Sequence, residues 1–293
     1  MSISLASIQH GVSNAPPRLL VYGVQGIGKT TMLSQAPSPI MIQTEDGEGL
    51  IDMPRFPLAK SYDDVMSALE VLATTKHNYL TAGLDSLDWF ETMVWEKVIQ
   101  DNPTTNKSGR IAAGIESYEY QKGYKMAMDY WREYTDAINY LRNERGMMIM
   151  QLAHSAIHTF DSPESGSYDR YNIKLHTNKK GEGASAYLQQ HSDCVFFINY
   201  KTHVTEEKGK FNAVKTRAVG QGMRSIFTQE RPSYSAKNRY NLPLEINFDK
   251  DGNYWGVLAD HIPYLKAYAA HLSSPASESM DEPPHPQQPT EGA

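Results

Sequence analysis

The stretch Arg18-Leu-Leu-Val-Tyr-Gly-Val-Gln-Gly-Ile-Gly-Lys-Thr30 decides the fold of this chain. Its first half predicts a buried strand, and residues 23–30 match the pattern G-x-x-x-x-G-K-[ST] of a phosphate-binding loop in the strand–loop–helix setting where such loops occur. The glycines let the backbone wrap a phosphate, Lys29 supplies a charge for the β and γ oxygens, and Thr30 supplies a hydroxyl ligand for Mg²⁺. A chance glycine-rich turn is the alternative, but both pattern and setting favour a site for ATP and Mg²⁺. The residues predicted to bind the nucleotide are Gly23, Val24, Gln25, Gly26, Ile27, Gly28, Lys29, Thr30 and Thr31.

The composition is typical of a soluble enzyme. With 293 residues the chain can bury a large core, as one α/β domain or as a domain with a subdomain. The single cysteine, Cys194, excludes an intramolecular disulfide, and its apolar surroundings predict a buried structural thiol in a reducing cytoplasm. We expect no signal peptide and no membrane contact, because no apolar run approaches spanning length. The net charge of −6 gives no general case for nucleic-acid binding.

Strand-like and helix-like segments alternate along the chain, which predicts an α/β fold with a mostly parallel central sheet flanked by helices and a C-terminal antiparallel β extension. We divide the chain into a lead-in (1–15), an ATPase domain (16–272) and a disordered, acidic, Pro-rich tail (273–293). Residues 158–183 are predicted to be a long mobile loop, and residues 201–259 a β-ribbon. Strands are predicted at 18–22, 39–43, 79–84, 147–151 and 193–200, and helices at 29–36, 61–73, 87–100, 124–145 and 262–271.

Asp85 ends the strand after the first strand–helix unit and is the second predicted anchor of the site. A carboxylate at this position holds Mg²⁺ through water in many ATPases. The alternative is that Asp85 caps the helix that follows. Ser86 stands where many ATPases place a catalytic glutamate, so the residue that activates water must come from elsewhere.

Glu45 is the candidate for that role. It follows the strand 39–43, and ligands of an open α/β sheet lie at the carboxyl ends of its strands, where a carboxylate can polarise water in line with the γ-phosphate. Asp46 and Glu48 are rival candidates. A solvated acidic turn would explain the same residues without any catalysis.

A P-loop, a glutamate after the second strand and no glutamate after Asp85 together resemble the RecA-like arrangement of P-loop NTPases. Further resemblance lies in Gly181-Glu-Gly-Ala-Ser-Ala-Tyr-Leu188 and in Ala236-Lys-Asn-Arg-Tyr-Asn-Leu-Pro243. With Tyr120-Gln-Lys-Gly-Tyr124 and Met150-Gln-Leu-Ala-His-Ser155, the layout over residues 16–260 resembles the phage AAA-type ATP-binding protein family. Its recombination members resemble a minimal RecA core and work beside single-stranded DNA-binding protein in strand annealing.

The resemblance implies roles for two further pairs of residues. Gln151 or His154, at the end of the fourth strand, would sense the γ-phosphate, although a polar strand end bonded to backbone is an alternative. Lys237 and Arg239 would reach the ATP held by the next subunit of a homo-oligomeric ring or filament. A solvated edge strand explains this basic pair equally simply. His154 and His158 have metal-like spacing, but the sequence offers no third ligand.

Local basic patches support single-stranded DNA as a partner. Residues 200–240 hold nine Lys or Arg against three acids, and four cations precede them with tyrosines between. Cations for phosphates and aromatic rings for stacking are what single-strand binding uses, although a charged, solvated loop would look the same. The candidate DNA contacts in the predicted loop are Arg170, Lys174, Lys179 and Lys180.

Together these features predict a Mg²⁺-dependent ATPase that acts on single-stranded DNA by annealing or strand pairing. A helicase-loader type of switch that binds ATP to change its grip on a protein partner is one alternative. A nucleotide kinase is another, but the sequence contains no obvious Arg-rich lid. The acidic tail is predicted to compete with DNA for the basic surface, or else to dock a partner.

Overall fold

Among the residues described in the computed structural model of the chain, nine strands join into one sheet. The described residues are 4, 5, 8, 10–47, 51–105, 109–162, 164, 166–178, 180–208 and 214–272, with the backbone alone described for 202–208, 214–221 and 272. In chain order the strands are β1 (Arg18–Gly23), β2 (Pro39–Gln43), β3 (Thr81–Asp85), β4 (Met148–Ser162), β5 (Gly166–Ile173), β6 (Cys194–Lys208), β7 (Val214–Phe227), β8 (Lys237–Asn238) and β9 (Glu245–Asn247).

The spatial order of the strands is β2-β3-β4-β1-β6-β7-β9. The first five of these run parallel, and β7 and β9 extend the sheet antiparallel beyond β6. Strand β5 folds back on β4, and β8 pairs with the start of β6. The predicted α/β fold, with a mostly parallel sheet and a C-terminal antiparallel extension, is confirmed.

Seven α-helices connect or cover the strands within the described ranges. They are α1 (Lys29–Ser34), α2 (Tyr62–Thr74), α3 (Leu87–Asp101), α4 (Lys122–Glu144), α5 (Ala184–His191), α6 (Tyr254–His261) and α7 (Pro263–Leu272). The Ser61 hydroxyl accepts the N–H of Asp64 at 3.2 Å and so caps α2.

Each face of the sheet has its own hydrophobic core because side chains alternate along β1. Leu20 and Tyr22 point to the face covered by α2, α3, α4 and α5. Leu19 and Val21 point to the opposite face, which α1, α6 and α7 cover. Cys194 belongs to the second core and is fully buried, and burial raises the pKa of its thiol to about 12. Both faces of the parallel strands are therefore apolar, as parallel sheets require.

Two predictions about organisation are wrong. Most of the predicted mobile loop at 158–183 is a hairpin, because β4 continues far beyond Gln151 and pairs with β5 from Ser155↔Ile173 to Ser162↔Gly166. The predicted ribbon up to residue 259 is interrupted by α6, whose Tyr254 and Leu258 pack into the second core. The predicted tail, 273–293, lies outside the described residues.

The parallel register brings the ends of β1, β2 and β3 to one edge of the sheet. Gly23, which ends β1, pairs with His154 on one side and with Ile198 on the other. Gln43, which ends β2, pairs with Asp85, which ends β3. Any ligand of the loop after β1 therefore faces the residues that follow β2 and β3.

Candidate functional site

The loop after β1 requires its glycines for two different reasons. A side chain on Gly23 would place its Cβ 2.3 Å from the carbonyl oxygen of Ile198, so close strand packing excludes it. Gly26 and Gly28 have φ values of 71° and 111°, which are left-handed conformations that favour glycine. Ile27 between them is fully buried in the core and anchors the loop. The loop can therefore curl as a phosphate cradle does.

The C-terminal β extension braces this loop from behind. The Arg224 guanidinium donates from Nη1 to the carbonyl oxygen of Ile27 at 2.8 Å and lies 4.8 Å from the centroid of the Phe248 ring. A Cβ on Gly28 would lie 2.7 Å from Phe248 and 2.8 Å from Arg224. The loop is thus held in place by packing as well as by its own turns.

Lys29 lies buried at the inner side of the cradle. Its Nζ donates to the carbonyl oxygens of Gly23 at 3.3 Å and Val24 at 3.2 Å, which are long hydrogen bonds. Burial lowers the pKa of Lys29, and the carboxylates of Asp85 and Glu45 oppose that shift. Helix α1 has only six residues, so the loop N–H groups and Lys29 supply most of the attraction for a phosphate.

Asp85 is joined to the loop through Thr30, whose hydroxyl donates to Asp85 Oδ2 at 2.6 Å. Burial raises the pKa of Asp85, and the Thr30 hydrogen bond and the Lys29 charge oppose the rise. This side chain faces the loop, which favours the predicted anchor over a helix cap. A hydroxyl and a carboxylate beside a phosphate cradle fit Mg²⁺, which binds few protein oxygens and keeps several waters.

Glu45 reaches the same edge from the segment after β2. Its Oε2 accepts the Ser86 hydroxyl at 3.5 Å and lies 4.0 Å from His154 Nδ1. The Glu45 backbone is fixed next to Thr44, whose hydroxyl accepts the Ser86 N–H at 2.8 Å. Asp46 is exposed and does not line the cavity, and the other rival, Glu48, lies outside the described residues. Glu45 is therefore the better placed of the described carboxylates.

These residues enclose a cavity of about 350 Å³, a size that suits a small-molecule site. Lys29, Asp85, Glu45 and His154 are among the residues that line it. The sequence did not single out other lining residues: Met41, Gln43, Gly47, Ile51 and Arg55. Gln43 could have been predicted to line the cavity because it lies at a strand end. Arg55 could not, because it is placed there by an isolated β-bridge to Met41, which no local sequence pattern indicates.

His154, rather than Gln151, lies at the sheet edge. Gln151 is buried inside the sheet opposite Leu20, and its Oε1 accepts the hydroxyl of Tyr134 in α4 at 3.2 Å. The prediction that Gln151 senses a phosphate is wrong, because its amide faces a helix and not the cavity. His154 lines the cavity and contacts a carboxylate that the sequence interpretation missed, Asp88.

Asp88 is buried in the first turn of α3. Burial alone would raise its pKa, but hydrogen bonds from the side chain and backbone of His154 bring the pKa below its ordinary value. Lys174 is exposed, and its Nζ lies 3.7 Å from Asp88 Oδ2. This predicted DNA contact therefore stands beside the nucleotide cavity.

The basic pair Lys237 and Arg239 lies at the opposite edge of the sheet, because Lys237 pairs with Val195 near the start of β6. Lys237 Nζ donates to three carbonyl oxygens at the end of α5 at 2.7–3.0 Å. Arg239 Nη1 lies 2.9 Å from Asp193 Oδ1, which also binds Arg18 at 3.0 Å. Both residues have structural partners within the chain, and action on a neighbouring subunit stays a prediction.

The predicted DNA contacts are separated in the structure. Arg170 is buried, donates to Glu230 at 2.7 Å and stacks 4.9 Å from the Phe160 ring centroid, so its assignment as a phosphate contact is wrong. Lys180 is exposed in the turn before α5. Lys179 lies outside the described residues. Instead of the predicted basic loop, the structure thus has one buried arginine and two exposed lysines that lie apart from each other.

The described ranges contain no cluster of three or more His, Cys, Asp or Glu side chains that could hold a metal ion. Within the same ranges, no helix is both long enough and apolar enough to cross a membrane. A protein-family profile described as an AAA domain matches residues 15–240. The chain has no match among curated proteins.

Proposed function

Because the chain belongs to the AAA domain family, we propose that it is a RecA-like ATPase that acts on single-stranded DNA in phage recombination or replication, by annealing or strand pairing. The AAA domain implies a nucleotide-dependent P-loop ATPase. The observation that carries the chemistry is one cavity that joins Lys29, Thr30, Asp85 and Glu45. A cation, a hydroxyl and two carboxylates are the groups that ATP hydrolysis needs at one place.

Each residue has a distinct part in this chemistry. Lys29 exchanges its long bonds to loop carbonyls for the β and γ oxygens of ATP, which bind an ammonium more strongly because they are charged. Glu45 orients the attacking water and accepts its proton. Thr30 and Asp85 would hold Mg²⁺, which neutralises phosphate charge when it is bound. Burial around Asp85 and Lys29 strengthens all of these interactions, because it keeps water away.

The β4–β5 hairpin supports the DNA part of the proposal. It leaves the sheet directly after His154, so its base adjoins the nucleotide cavity. Phe160 is 41% exposed and packs against Tyr168, and Lys180 is exposed beyond the hairpin. An exposed aromatic ring and an exposed cation are suited to the bases and phosphates of a single strand.

We also propose that copies of the chain form a ring or filament and that single-stranded DNA-binding protein is a partner. Arg239 is half-exposed, which leaves it accessible to a neighbouring subunit. Lys237 would first have to release three carbonyl oxygens. Arg239 is therefore the better candidate for a contact between subunits.

The test is ATP hydrolysis with Mg²⁺, measured with and without oligo-dT. We expect DNA to stimulate turnover, and Glu45→Gln to lower kcat by about 10²-fold while ATP affinity stays near the wild-type value, because only the base is lost. Lys180→Ala should reduce stimulation by DNA. Lys266→Ala, which removes the same charge from an exposed site on α7, is the matched control and should leave stimulation unchanged.

Each alternative function has its own result in this assay. Hydrolysis that DNA does not change would contradict the DNA part of the proposal. Transfer of phosphate to an added nucleotide acceptor would indicate a kinase. ATP binding with negligible turnover in every condition would indicate a switch, and full turnover in Glu45→Gln would move the catalytic role to Asp46 or Glu48.

A further inference from the structure

Three polar contacts join Asp88 of α3 to His154 of β4. The backbone N–H of His154 donates to Asp88 Oδ1 at 3.0 Å, and His154 Nδ1 lies 3.2 Å and 3.0 Å from the two carboxylate oxygens. The Asp88 side chain is only 5% exposed. An acid in the first turn of a helix is stabilised by the helix dipole, but that explains neither its burial nor its three contacts with one residue.

The carboxylate fixes both the orientation and the proton of the His154 ring. A carboxylate only accepts hydrogen bonds, so Nδ1 must carry the proton in this pair. The other ring nitrogen, Nε2, then acts as an acceptor in neutral imidazole or as a donor in imidazolium. Since His154 lines the cavity with Lys29 and Glu45, a phosphate bound there meets a ring that cannot turn freely.

The same carboxylate also contacts the end of the β4–β5 hairpin. Lys174, the residue after β5, places Nζ 3.7 Å from Asp88 Oδ2 and donates its backbone N–H to the carbonyl oxygen of His154 at 2.9 Å. Asp88 therefore touches both a cavity residue and the segment that leaves the hairpin. Its loss would free the His154 ring without removing any group that lines the cavity.

From this arrangement, and resting on the proposed function, we infer that Asp88 is a positioning residue that holds His154 in place to read the terminal phosphate of the nucleotide. ATP differs from ADP by that phosphate, so a ring held in place at the cavity can contact ATP there in a way that ADP does not allow. A ring released from Asp88 would lose part of this contact, because its orientation would no longer be fixed in advance. The role predicts selectivity for ATP over ADP rather than general affinity for nucleotide.

The test measures the affinities of ATP and ADP, each with Mg²⁺, by calorimetry on the full chain. The variants are Asp88→Ala, His154→Ala, the double variant and Asp88→Asn. Both single alanine variants should lower the ratio of ATP to ADP affinity by about tenfold, which corresponds to about 1.4 kcal/mol. The double variant should be no less selective than His154→Ala, because Asp88 acts through His154. Asp88→Asn keeps an acceptor and should retain intermediate selectivity.

The matched control is Asp101→Ala at the other end of α3, where the carboxylate pairs with Lys97 on the surface. Its ratio of ATP to ADP affinity should equal the wild-type ratio. Equal losses of ATP and ADP affinity in Asp88→Ala, or additive effects in the double variant, would overturn the positioning role. If Asp88→Ala does not fold, wild-type selectivity in Asp88→Asn with loss in His154→Ala would also overturn it. Failure of the wild-type chain to bind ATP would instead refute the proposed function.

Discussion

Lys29 and Lys237 are both singled out by the sequence, yet they occupy opposite situations in the fold. Lys29 lines a cavity and makes two long bonds to carbonyl oxygens at 3.2–3.3 Å. Lys237 makes three bonds of 2.7–3.0 Å to the last carbonyls of α5. The comparison teaches that a cation marks a binding site when its bonds are weak enough to exchange, and a structural clamp when its donors are well satisfied.

The neighbours of the two lysines follow the same division. At one edge of the sheet, Asp85 and Glu45 line the cavity. The carboxylate of Asp85 accepts a hydrogen bond from the Thr30 hydroxyl, and that of Glu45 accepts one from the Ser86 hydroxyl. At the opposite edge, Asp193 accepts from Arg18 and Arg239. Burial alone would raise the pKa of Asp193, but its hydrogen bonds with Arg18 hold that pKa low. The first cluster retains capacity for a charged ligand, and the second has used its capacity internally.

The largest effect is expected from Lys29→Met. Loss of the ammonium should lower kcat by about 10²–10³-fold, because a donor aimed at the phosphates is removed. The melting temperature without nucleotide should change little, since two long bonds to loop carbonyls contribute weakly. Turnover assays and thermal melts measure the two effects, and a large loss of stability would place Lys29 in the structural class with Lys237.

A smaller effect of the opposite kind is expected from Lys237→Met. The variant should lose roughly 2 kcal/mol of unfolding free energy, because three carbonyl oxygens lose a charged donor. ATP hydrolysis at a temperature where the variant is folded should stay near the wild-type value. Urea denaturation and turnover assays decide the matter. Lost turnover in a stable variant would revive a catalytic role at this edge.

The smallest effect is expected from Glu91, which lies close to Asp88 in sequence but has different hydrogen-bond partners. Glu91 lies in α3 three residues after Asp88, but its buried carboxylate accepts only the backbone N–H of His176 at 2.9–3.0 Å among the hydrogen bonds described. Burial raises its pKa to about 8, against the opposing effect of that N–H. The folded chain thus holds a proton that the unfolded chain releases near pH 4.5, so this group's stabilisation is lost as the pH rises from about 4.5 to about 8.

Glu91→Gln removes this titration while it keeps the shape of the protonated acid. Between pH 6 and pH 7, its unfolding free energy relative to wild type should rise by about 1 kcal/mol. Urea titrations at both pH values provide the measurement. Glu96→Gln, an exposed glutamate of the same helix, is the control and should show no such trend. Identical pH trends in the two variants would mean that Glu91 is ionised in the fold.

Local patterns were sufficient for the nucleotide edge of the sheet. The positions of the loop after β1, of Glu45 after β2 and of Asp85 at the end of β3 could be predicted because each lies at or directly after a strand end. The choice between Gln151 and His154 could not be made, because it depends on the register of β4 against β1. Gly23 pairs with His154, so the sheet edge falls three residues beyond Gln151.

Long-range contacts explain the remaining errors. Arg170 looked available for DNA because no local signal shows that it lies opposite His158 in a hairpin and pairs with Glu230. Lys237 looked like a free cation because its acceptors lie at and just beyond the end of α5, 45–48 residues earlier. Asp88 was missed because its partner is a distant strand, and an acid in the first turn of α3 was its only signal.

Arg224 and Phe248, which support the loop after β1, determine when during synthesis this loop can reach its final packing. The loop emerges early, but Arg224, which binds the carbonyl oxygen of Ile27, is added 197 residues later, and Phe248 later still. A nascent chain that ends before Phe248 has the loop without its full support. Such long-range closure slows folding, so the loop gains its full support only after nearly all of the described residues have been synthesised.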